Sequence, residues 1–326
     1  MSFFSDSSIV LTPNAYKAAK VYSIKPTSGV GDFAFSRAST ATRVNESGAI
    51  ESMGVNVPRM DYTDASCPSL LLEPSSINIY LNSAVLVNQG VTTTATSYTV
   101  SFYGTGSITF SGSYSGSLVG SGLTDRVSKT FTAASGTLTS TVSGTVTDGQ
   151  CEAKTYATSY IPTSGTAVTR SADNCSGSGD VNTFNSPEGV LYAELAALVD
   201  DGTSRDISVS DGTSSNYARI SLSNAVGNIE YNIVVGGSTQ ASGVSTMTQT
   251  NFNKIAVKWK VNDFSLWLNG TEVLTDSIGS TFPASTLTTL NFNRGSGANP
   301  MYGKFKGVQV YTSALSDADL TTLTTL

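Results

Sequence analysis

Short stretches in which apolar and polar residues alternate fill most of the chain, and they predict β-strands. In the C-terminal half, strands are predicted for YARISL, NIEYNIVV, KIAVKWKV, FSLWLNG, TLTTLNF and FKGVQVY, each bounded by Gly, Asn, Asp or Ser. VLYAELAAL, at 190–198, has a helix-like composition, but Gly189 precedes it and the Asp200–Gly202 turn follows, so we predict a strand. SALSDADLTTLTTL predicts one short helix, with Ser316 as N-cap and Asp319 three residues on.

The first half of the chain shows two further patterns. Up to about residue 75 prolines separate short pieces, among them TRVNESGAIE, which predicts two strands joined by an Asn45–Gly48 turn. Beyond this segment the alternation returns, and four strands are predicted at Ser97–Phe102, Ser107–Ser111, Arg126–Thr132 and Thr137–Val142. Short strands at such close spacing are typical of a small sandwich.

We therefore predict an all-β protein of three consecutive modules. A loop-rich anchoring module spans 1–75, a small β-sandwich with its closing linker spans 76–170, and a larger sandwich with a short C-terminal helix spans 175–326. Because the first module has few apolar residues for its length, we expect it to pack on a partner or on copies of itself.

Composition excludes several classes of function. The 326 residues include no histidine, which removes Ser-His-Asp catalysis and His-ligated zinc. The net charge is −6 and the cationic residues are scattered, so we predict no binding to nucleic acid. Cys67, Cys151 and Cys175 are too widely spaced for a metal cluster, and free thiols are expected. With no long apolar run and no signal-like N-terminus, we expect a soluble protein that does not insert into membranes.

Three stretches of the chain resemble one family of proteins. GDFAFSRASTATRVNESGAIESMGVNVPRMDYTDASCPSLLLEPSSINIYLNSA, at 31–84, resembles the opening module of tailed-bacteriophage virion proteins of the head-fibre, tail-fibre and receptor-binding type. QCEAKTYATSYIPTSGTAVTRSAD, at 150–173, resembles the strand and linker that close the small sandwich of those proteins. GVLYAELAAL, FNKIAVKWKVNDFSLWLNGTEV and KGVQVYTSALSDADLTTL resemble the concanavalin A-like or laminin-G-like domain often appended to them.

This resemblance implies a non-enzymatic structural protein on the surface of a phage head or tail, assembled in the host cytoplasm. It implies a homotrimer that contacts other virion proteins through residues 1–75 and presents a lectin-like jelly roll to host glycans. Coiled-coil heptads are absent from the N-terminal segment, so a short fibre, spike or decoration is expected rather than a long shaft. Two alternatives stay open: a capsid cement protein that binds no glycan, and a polysaccharide depolymerase.

Aromatic residues on the outward faces of strands are the candidate carbohydrate contacts. In the strand from Phe264, side chains alternate between faces, which sets Trp267 opposite Phe264, Leu266 and Leu268. The same parity sets Tyr192, Tyr217 and Arg219 opposite the apolar faces of their strands. Flat rings can stack on sugars and Arg can donate to hydroxyl groups; the alternative is that these residues pack against the N-terminal module, another subunit or the terminal helix.

Acidic residues in the same region suggest two other kinds of site. Paired carboxylates could hydrolyse a glycosidic bond, and Glu194, inside an apolar strand, is the candidate general acid, although an outward-facing strand residue is the simpler interpretation. Loop aspartates could instead gather around calcium, although their spacing matches no EF-hand. We predict no catalytic, metal or cofactor site from the candidates, which are Glu188, Glu194, Asp200, Asp201, Asp206 and Asp211.

Overall fold

A computed structural model describes residues 3–326, and it confirms the all-β prediction. The helices are α1 (Phe3–Asp6) and α2 (Asp317–Thr324). The strands of the first half are β1 (Ser7–Leu11), β2 (Tyr16–Lys17), β3 (Lys20–Val21), β4 (Phe33–Ser36), β5 (Ala41–Val44), β6 (Ile50–Met53), β7 (Met60–Asp61), β8 (Ser69–Leu72), β9 (Ser76–Asn78), β10 (Gln89–Thr93), β11 (Ser97–Gly104), β12 (Ser107–Gly112), β13 (Gly116–Val119), β14 (Gly122–Thr132), β15 (Gly136–Ser143) and β16 (Thr147–Glu152). Those of the second half are β17 (Val168–Arg170), β18 (Asn174–Ser176), β19 (Gly189–Ala197), β20 (Arg205–Ser210), β21 (Tyr217–Leu222), β22 (Asn228–Val235), β23 (Ser238–Thr246), β24 (Asn253–Trp259), β25 (Phe264–Leu268), β26 (Thr271–Asp276), β27 (Thr289–Asn291) and β28 (Gly303–Tyr311).

These elements form two compact units. The larger unit combines the described residues up to Ser36 with Asn56–Leu72 and Asp173–Leu326, and the smaller unit combines Arg37–Val55 with Glu73–Ala172. The chain passes between the units four times, after Ser36, Val55, Leu72 and Ala172. Residues 1–75, however, are shared between both units instead of standing apart as one module.

The larger unit is a sandwich of two main sheets. Sheet one has the strand order β26-β25-β24-β19-β28-β8-β7, and sheet two has the order β23-β22-β21-β20-β27. Their inner faces form one hydrophobic core, to which alternate strand residues contribute, such as Leu191, Val257, Ile207 and Ile220. A small sheet, β18-β4-β3-β2, adds Val21 and other residues to the same core. The predicted strand at 190–198 is confirmed as β19.

One edge of strand β28 pairs with two strands from the N-terminal part of the chain. One of its edges pairs with β19 along nearly its whole length. Its other edge is divided: Gly303–Phe305 pairs with β8, and Val308–Tyr311 pairs with β1. These two short strands also bring Ile9, Leu11, Leu70 and Leu72 into the core. The sandwich predicted over 175–326 therefore includes strands that lie before residue 75.

Helix α2 covers the outer face of sheet one. Its N-cap is Ser316, as predicted, with the hydroxyl accepting a hydrogen bond from the Asp319 amide. Leu320 and Leu323 of the helix pack on the outward side chains of the sheet, which include Trp267 and Val190. Ionic and hydrogen bonds hold both ends of the helix: Lys258 Nζ lies 3.3 Å from Asp317 Oδ1, and Lys254 Nζ donates to the Thr325 carbonyl at 2.8 Å.

The smaller unit contains the sheets β10-β15-β12-β13 and β14-β11-β16 and the strand pairs β9-β17 and β5-β6. The β5-β6 pair is the hairpin predicted at Asn45–Gly48. Val100, Phe102, Ile108 and Leu138 are among its fully buried core residues.

Two buried carboxylates of the smaller unit accept hydrogen bonds from neighbours within it. Glu152 is fully buried and accepts hydrogen bonds from Ser76 Oγ, Gln150 Nε2 and both the amide and hydroxyl of Thr158. Glu73 accepts from Arg170, which is also buried. These partners offset the cost of removing the carboxylates from water.

Two further sequence expectations concern thiols and membranes. Cys151 and Cys175 are buried and Cys67 is exposed, and all three are free. Burial raises the pKa of the Cys151 and Cys175 thiols, which keeps them protonated and unreactive. Among the described residues, neither helix has the length and apolar character needed to span a bilayer.

We predict that Trp267→Ala lowers the free energy of unfolding of the larger unit by about 3 to 5 kcal/mol, because the change empties a site packed between sheet one and α2. Trp259, the other of the two tryptophans, is fully buried in the same unit. Its fluorescence during urea unfolding therefore reports on this unit in the variant.

The control for this prediction is Ile278→Ala, whose side chain belongs to the same unit and is 78% exposed. It should change the free energy of unfolding by less than about 0.5 kcal/mol. An unfolding midpoint for Trp267→Ala that equals the wild-type value would contradict the packing role of Trp267.

Candidate functional site

The structure separates the four predicted carbohydrate contacts into two pairs. Tyr192 and Trp267 lie on the outer face of sheet one, beneath α2. Tyr217 and Arg219 lie on β21, on the outer face of sheet two, because their neighbours Ala218 and Ile220 face the core. The predicted parity is confirmed in each strand, but the four side chains do not form one surface.

Tyr192 and Trp267 serve packing. Each is only 4% exposed, and the Trp267 indole N–H donates to the Ser265 hydroxyl at 2.9 Å. Burial raises the pKa of Tyr192, and the negative charge of Glu194 adds to this effect. With the rings covered by α2, neither can stack on a sugar in this structure, so the terminal-helix alternative describes both residues.

Arg219 is the centre of a charged cluster on sheet two. Its Nη1 donates to both oxygens of Asp206, at 2.9 and 2.8 Å, and its Nη2 donates to Glu230 Oε1 at 2.7 Å. The guanidinium carbon lies 5.7 Å from the centre of the Tyr217 ring. Arg219 is 5% exposed and Asp206 is fully buried, so these contacts form largely out of water.

Strand register explains why the carboxylates flank Arg219. Ser221, two residues further along β21, pairs with Asp206 of β20 on one side and with Glu230 of β22 on the other. The Arg219 side chain reaches this row from the same face. A serine at 221 leaves room for the guanidinium between the two acids.

A loop between β27 and β28 adds a second guanidinium. Arg294 Nε donates to Asp206 Oδ2 at 2.9 Å, and the Asn299 amide donates to the same oxygen at 3.2 Å. Desolvation lowers the pKa of Arg294, but the hydrogen bond and charge of Asp206 outweigh it and raise that pKa. We name Asp206, Arg219, Glu230 and Arg294 the charged cluster.

Part of the charged cluster is open to solvent. The side chains of Glu230 and Arg294 are 22% and 31% exposed, whereas Arg219 and Asp206 lie beneath them. Beyond Glu230 the outer face continues onto β23, where Val244 pairs with Glu230 and is 51% exposed. The face therefore offers donors, acceptors and an apolar side chain to a polar ligand.

Two polar atoms on this face have no hydrogen-bond partner within the described chain: Arg219 Nε and Asn232 Oδ1. Both atoms are buried, and their residues pair directly across β21 and β22. One is a donor and the other an acceptor. They form a complementary pair of unused hydrogen-bonding groups beside the charged cluster.

The remaining candidate carboxylates do not meet at one place. Asp200 accepts from the Gly227 amide, Asp201 from Arg205, and Asp211 from Thr213 and Asn216. Glu188 lies 3.3 Å from Lys260, and Glu194 is a half-buried residue on the outward side of β19. Within residues 3–326, no three potential metal-ligating side chains of His, Cys, Asp or Glu are grouped together.

Sequence reasoning missed Glu230, Asn232 and Arg294. The first two could have been found by parity, because in NIEYNIVV they alternate with the core residues Ile229, Tyr231 and Ile233. Arg294 lies in a loop rich in Gly, Ser and Asn, where no periodicity indicates a neighbour. Its contact with Asp206 depends on where the loop folds.

Comparison with known proteins describes the larger unit. Residues 195–321 match the family described as the concanavalin A-like lectin/glucanases superfamily. No curated protein matches the chain.

Several solved structures are similar to part of the chain. The CBM40 of the Ruminococcus gnavus IT-sialidase, bound to alpha2,3 sialyllactose, is 19% identical, with 43% of this chain and 84% of that chain covered and a TM-score of 0.37. A mutant NanB sialidase from Streptococcus pneumoniae is 14% identical, with 44% and 24% covered and a TM-score of 0.37. The receptor binding domain of botulinum neurotoxin C/D mosaic serotype is 13% identical, with 41% and 34% covered and a TM-score of 0.33.

Structural similarities with such low sequence identities and TM-scores do not indicate what the chain binds. The family match and the two-sheet sandwich agree with each other, and they agree with the fold expected for the C-terminal third. The chain is all-β, and residues 195–321 form a concanavalin A-like domain.

Proposed function

We propose that this protein is a non-enzymatic phage virion component whose concanavalin A-like domain binds host glycans on the outer face of sheet two. The observation that carries the glycan proposal is the charged cluster around Arg219, which combines buried, fixed hydrogen-bonding groups with a solvent-facing side. Sugar hydroxyls both donate and accept hydrogen bonds, so a face that offers both kinds of group suits them.

The preformed geometry of the cluster favours binding. Asp206 orients two guanidinium groups at once, and β21 and β22 hold Arg219 between its acids. Side chains that are already fixed lose little entropy when a ligand arrives. The description of the matched family names both lectins and glucanases, so the choice between binding and hydrolysis rests on the cluster itself.

The same contacts favour binding over hydrolysis. A glycosidase needs one carboxyl group that can give a proton and a second that acts as base or nucleophile. Both oxygens of Asp206 accept hydrogen bonds from cationic groups, and Glu230 accepts from Arg219. Carboxylates used in this way organise arginines, so we propose a non-enzymatic protein over a depolymerase.

The virion role is supported by the resemblance of residues 31–84 and 150–173 to phage fibre and receptor-binding proteins. On this proposal the protein is a short fibre, spike or decoration on the particle surface, a homotrimer in contact with other virion proteins through residues 1–75.

We expect purified phage particles to carry the protein in multiples of three copies, with residues 1–75 at the particle contact in a cryo-electron microscopy map. The basis for this expectation is the resemblance of residues 31–84 to the opening module of phage virion proteins. A particle fraction that lacks the protein would contradict the virion role, and a map with residues 1–75 facing solvent would contradict the anchoring role.

We predict that Val244→Glu lowers glycan binding by at least about tenfold. The new carboxylate would lie directly across from Glu230 and would alter the charge of the exposed part of the face. Binding of the full chain is measured on immobilised neutral, sialylated and sulfated oligosaccharides and then as an affinity for the tightest probe.

The matched control is Val261→Glu, at a position of the same unit that is 55% exposed and lies in the turn between β24 and β25. It should bind as the wild-type chain does. Equal binding by Val244→Glu and the wild-type chain would place the glycan site elsewhere, and a wild-type chain that binds no probe would favour the cement protein.

A further inference from the structure

The unpartnered atoms beside the charged cluster indicate what kind of group a ligand presents there. The Arg219 guanidinium uses Nη1 for Asp206 and Nη2 for Glu230, while its Nε–H remains without a partner. The Oδ1 atom of Asn232, on the adjacent strand, is likewise buried and unpaired. Leaving a buried donor and acceptor unsatisfied costs stability, so the pair calls for an explanation, and a bound ligand is one.

The two atoms belong to residues that face each other. Arg219 and Asn232 are a register pair of β21 and β22, and both point away from the core because Ile220 and Ile233 face it. Side chains of directly opposed residues on one face start only about 5 Å apart. The Arg219 and Asn232 side chains therefore leave the sheet next to each other, on the same face.

We propose that the Nε–H of Arg219 and the Oδ1 of Asn232 together bind one hydroxyl group of a neutral glycan, an inference that rests on the proposed glycan binding. The hydroxyl oxygen accepts the hydrogen bond from Nε–H, and the hydroxyl proton is donated to Oδ1. A hydroxyl is suited to this pair because it supplies one donor and accepts through its lone pairs.

Charge balance within the cluster points to a neutral ligand. Two guanidinium groups, Arg219 and Arg294, are matched by two carboxylates, Asp206 and Glu230. The Nη groups of Arg219 that could clamp a ligand carboxylate are already bonded to these acids. An acidic sugar would meet no excess positive charge here, and Glu230 would repel it.

The test compares Asn232→Leu with Asn228→Leu in the full chain. Asn232→Leu keeps the side-chain size and removes the acceptor. Asn228 lies on the same strand and the same face, four residues and about 13 Å away, and is the matched control. Urea unfolding followed by tryptophan fluorescence establishes that each variant is folded.

The probes are immobilised oligosaccharides that end in glucose, galactose, mannose or N-acetylglucosamine, each beside a sialylated or sulfated counterpart. We expect the wild-type chain to prefer a neutral member. Asn232→Leu should weaken its binding about three- to tenfold, the usual effect of one lost hydrogen bond, and Asn228→Leu should leave it unchanged.

Monodeoxy analogues of the tightest neutral probe identify the hydroxyl, and this arm needs no variant. One analogue should bind the wild-type chain about three- to tenfold more weakly than the parent sugar, yet show little further loss with Asn232→Leu, because the same hydrogen bond is removed from either side.

The outcomes separate this inference from the proposed function. Tighter binding of acidic counterparts, full binding by folded Asn232→Leu, or no sensitive deoxy position would overturn the inference and leave glycan binding intact. Failure of the wild-type chain to bind any neutral or acidic probe would overturn the proposed function itself.

Discussion

The larger unit depends on one constraint: one edge of β28 must pair with two separate strands, β1 and β8. A nine-residue strand at the middle of sheet one must satisfy the backbone groups of both its edges. Strand β19 satisfies one edge, and the other is satisfied in two parts, by β1 and by β8. Without those strands β28 would be an open edge beside an incomplete core, a template for aggregation. The concanavalin A-like domain is therefore discontinuous in sequence, and its N-terminal strands are part of its fold.

The sandwich that β28 completes has two outer faces with different chemistry. On sheet one, α2 packs over Trp267 and Tyr192, so these side chains are not available to a ligand. On sheet two, polar residues occupy the outward positions, and Asp206 and Arg219 order them into a buried ionic centre with an exposed rim. A buried ion pair of this kind is a poor source of stability compared with apolar packing. The charged cluster is the feature of this face on which the proposed glycan binding rests.

Strand parity predicted which side chains leave the core, and it did so correctly for Trp267, Tyr192, Tyr217 and Arg219. Strand parity predicts the face on which a side chain lies but not what covers that face. The helix that packs on Trp267 begins fifty residues further along the chain. The pairing of β28 with β1 joins residues about 300 positions apart, and no local pattern encodes it. Likewise, the sequence identifies Asp206 as an acidic residue, but it does not predict the contact with Arg294, which lies in a loop without periodicity.

Native-state hydrogen exchange tests the discontinuous domain most directly. If β1 and β8 are integral to the sandwich, the amides that bond them to β28 should exchange with the same free energy of opening as the core amides of β21 and β22, as one cooperative unit. We expect equal protection of these four strands and of β28 across increasing denaturant. Exchange of the β1 and β8 amides at a distinctly lower free energy, while β21, β22 and β28 stay protected, would contradict it and show that residues 173–326 fold without the N-terminal strands.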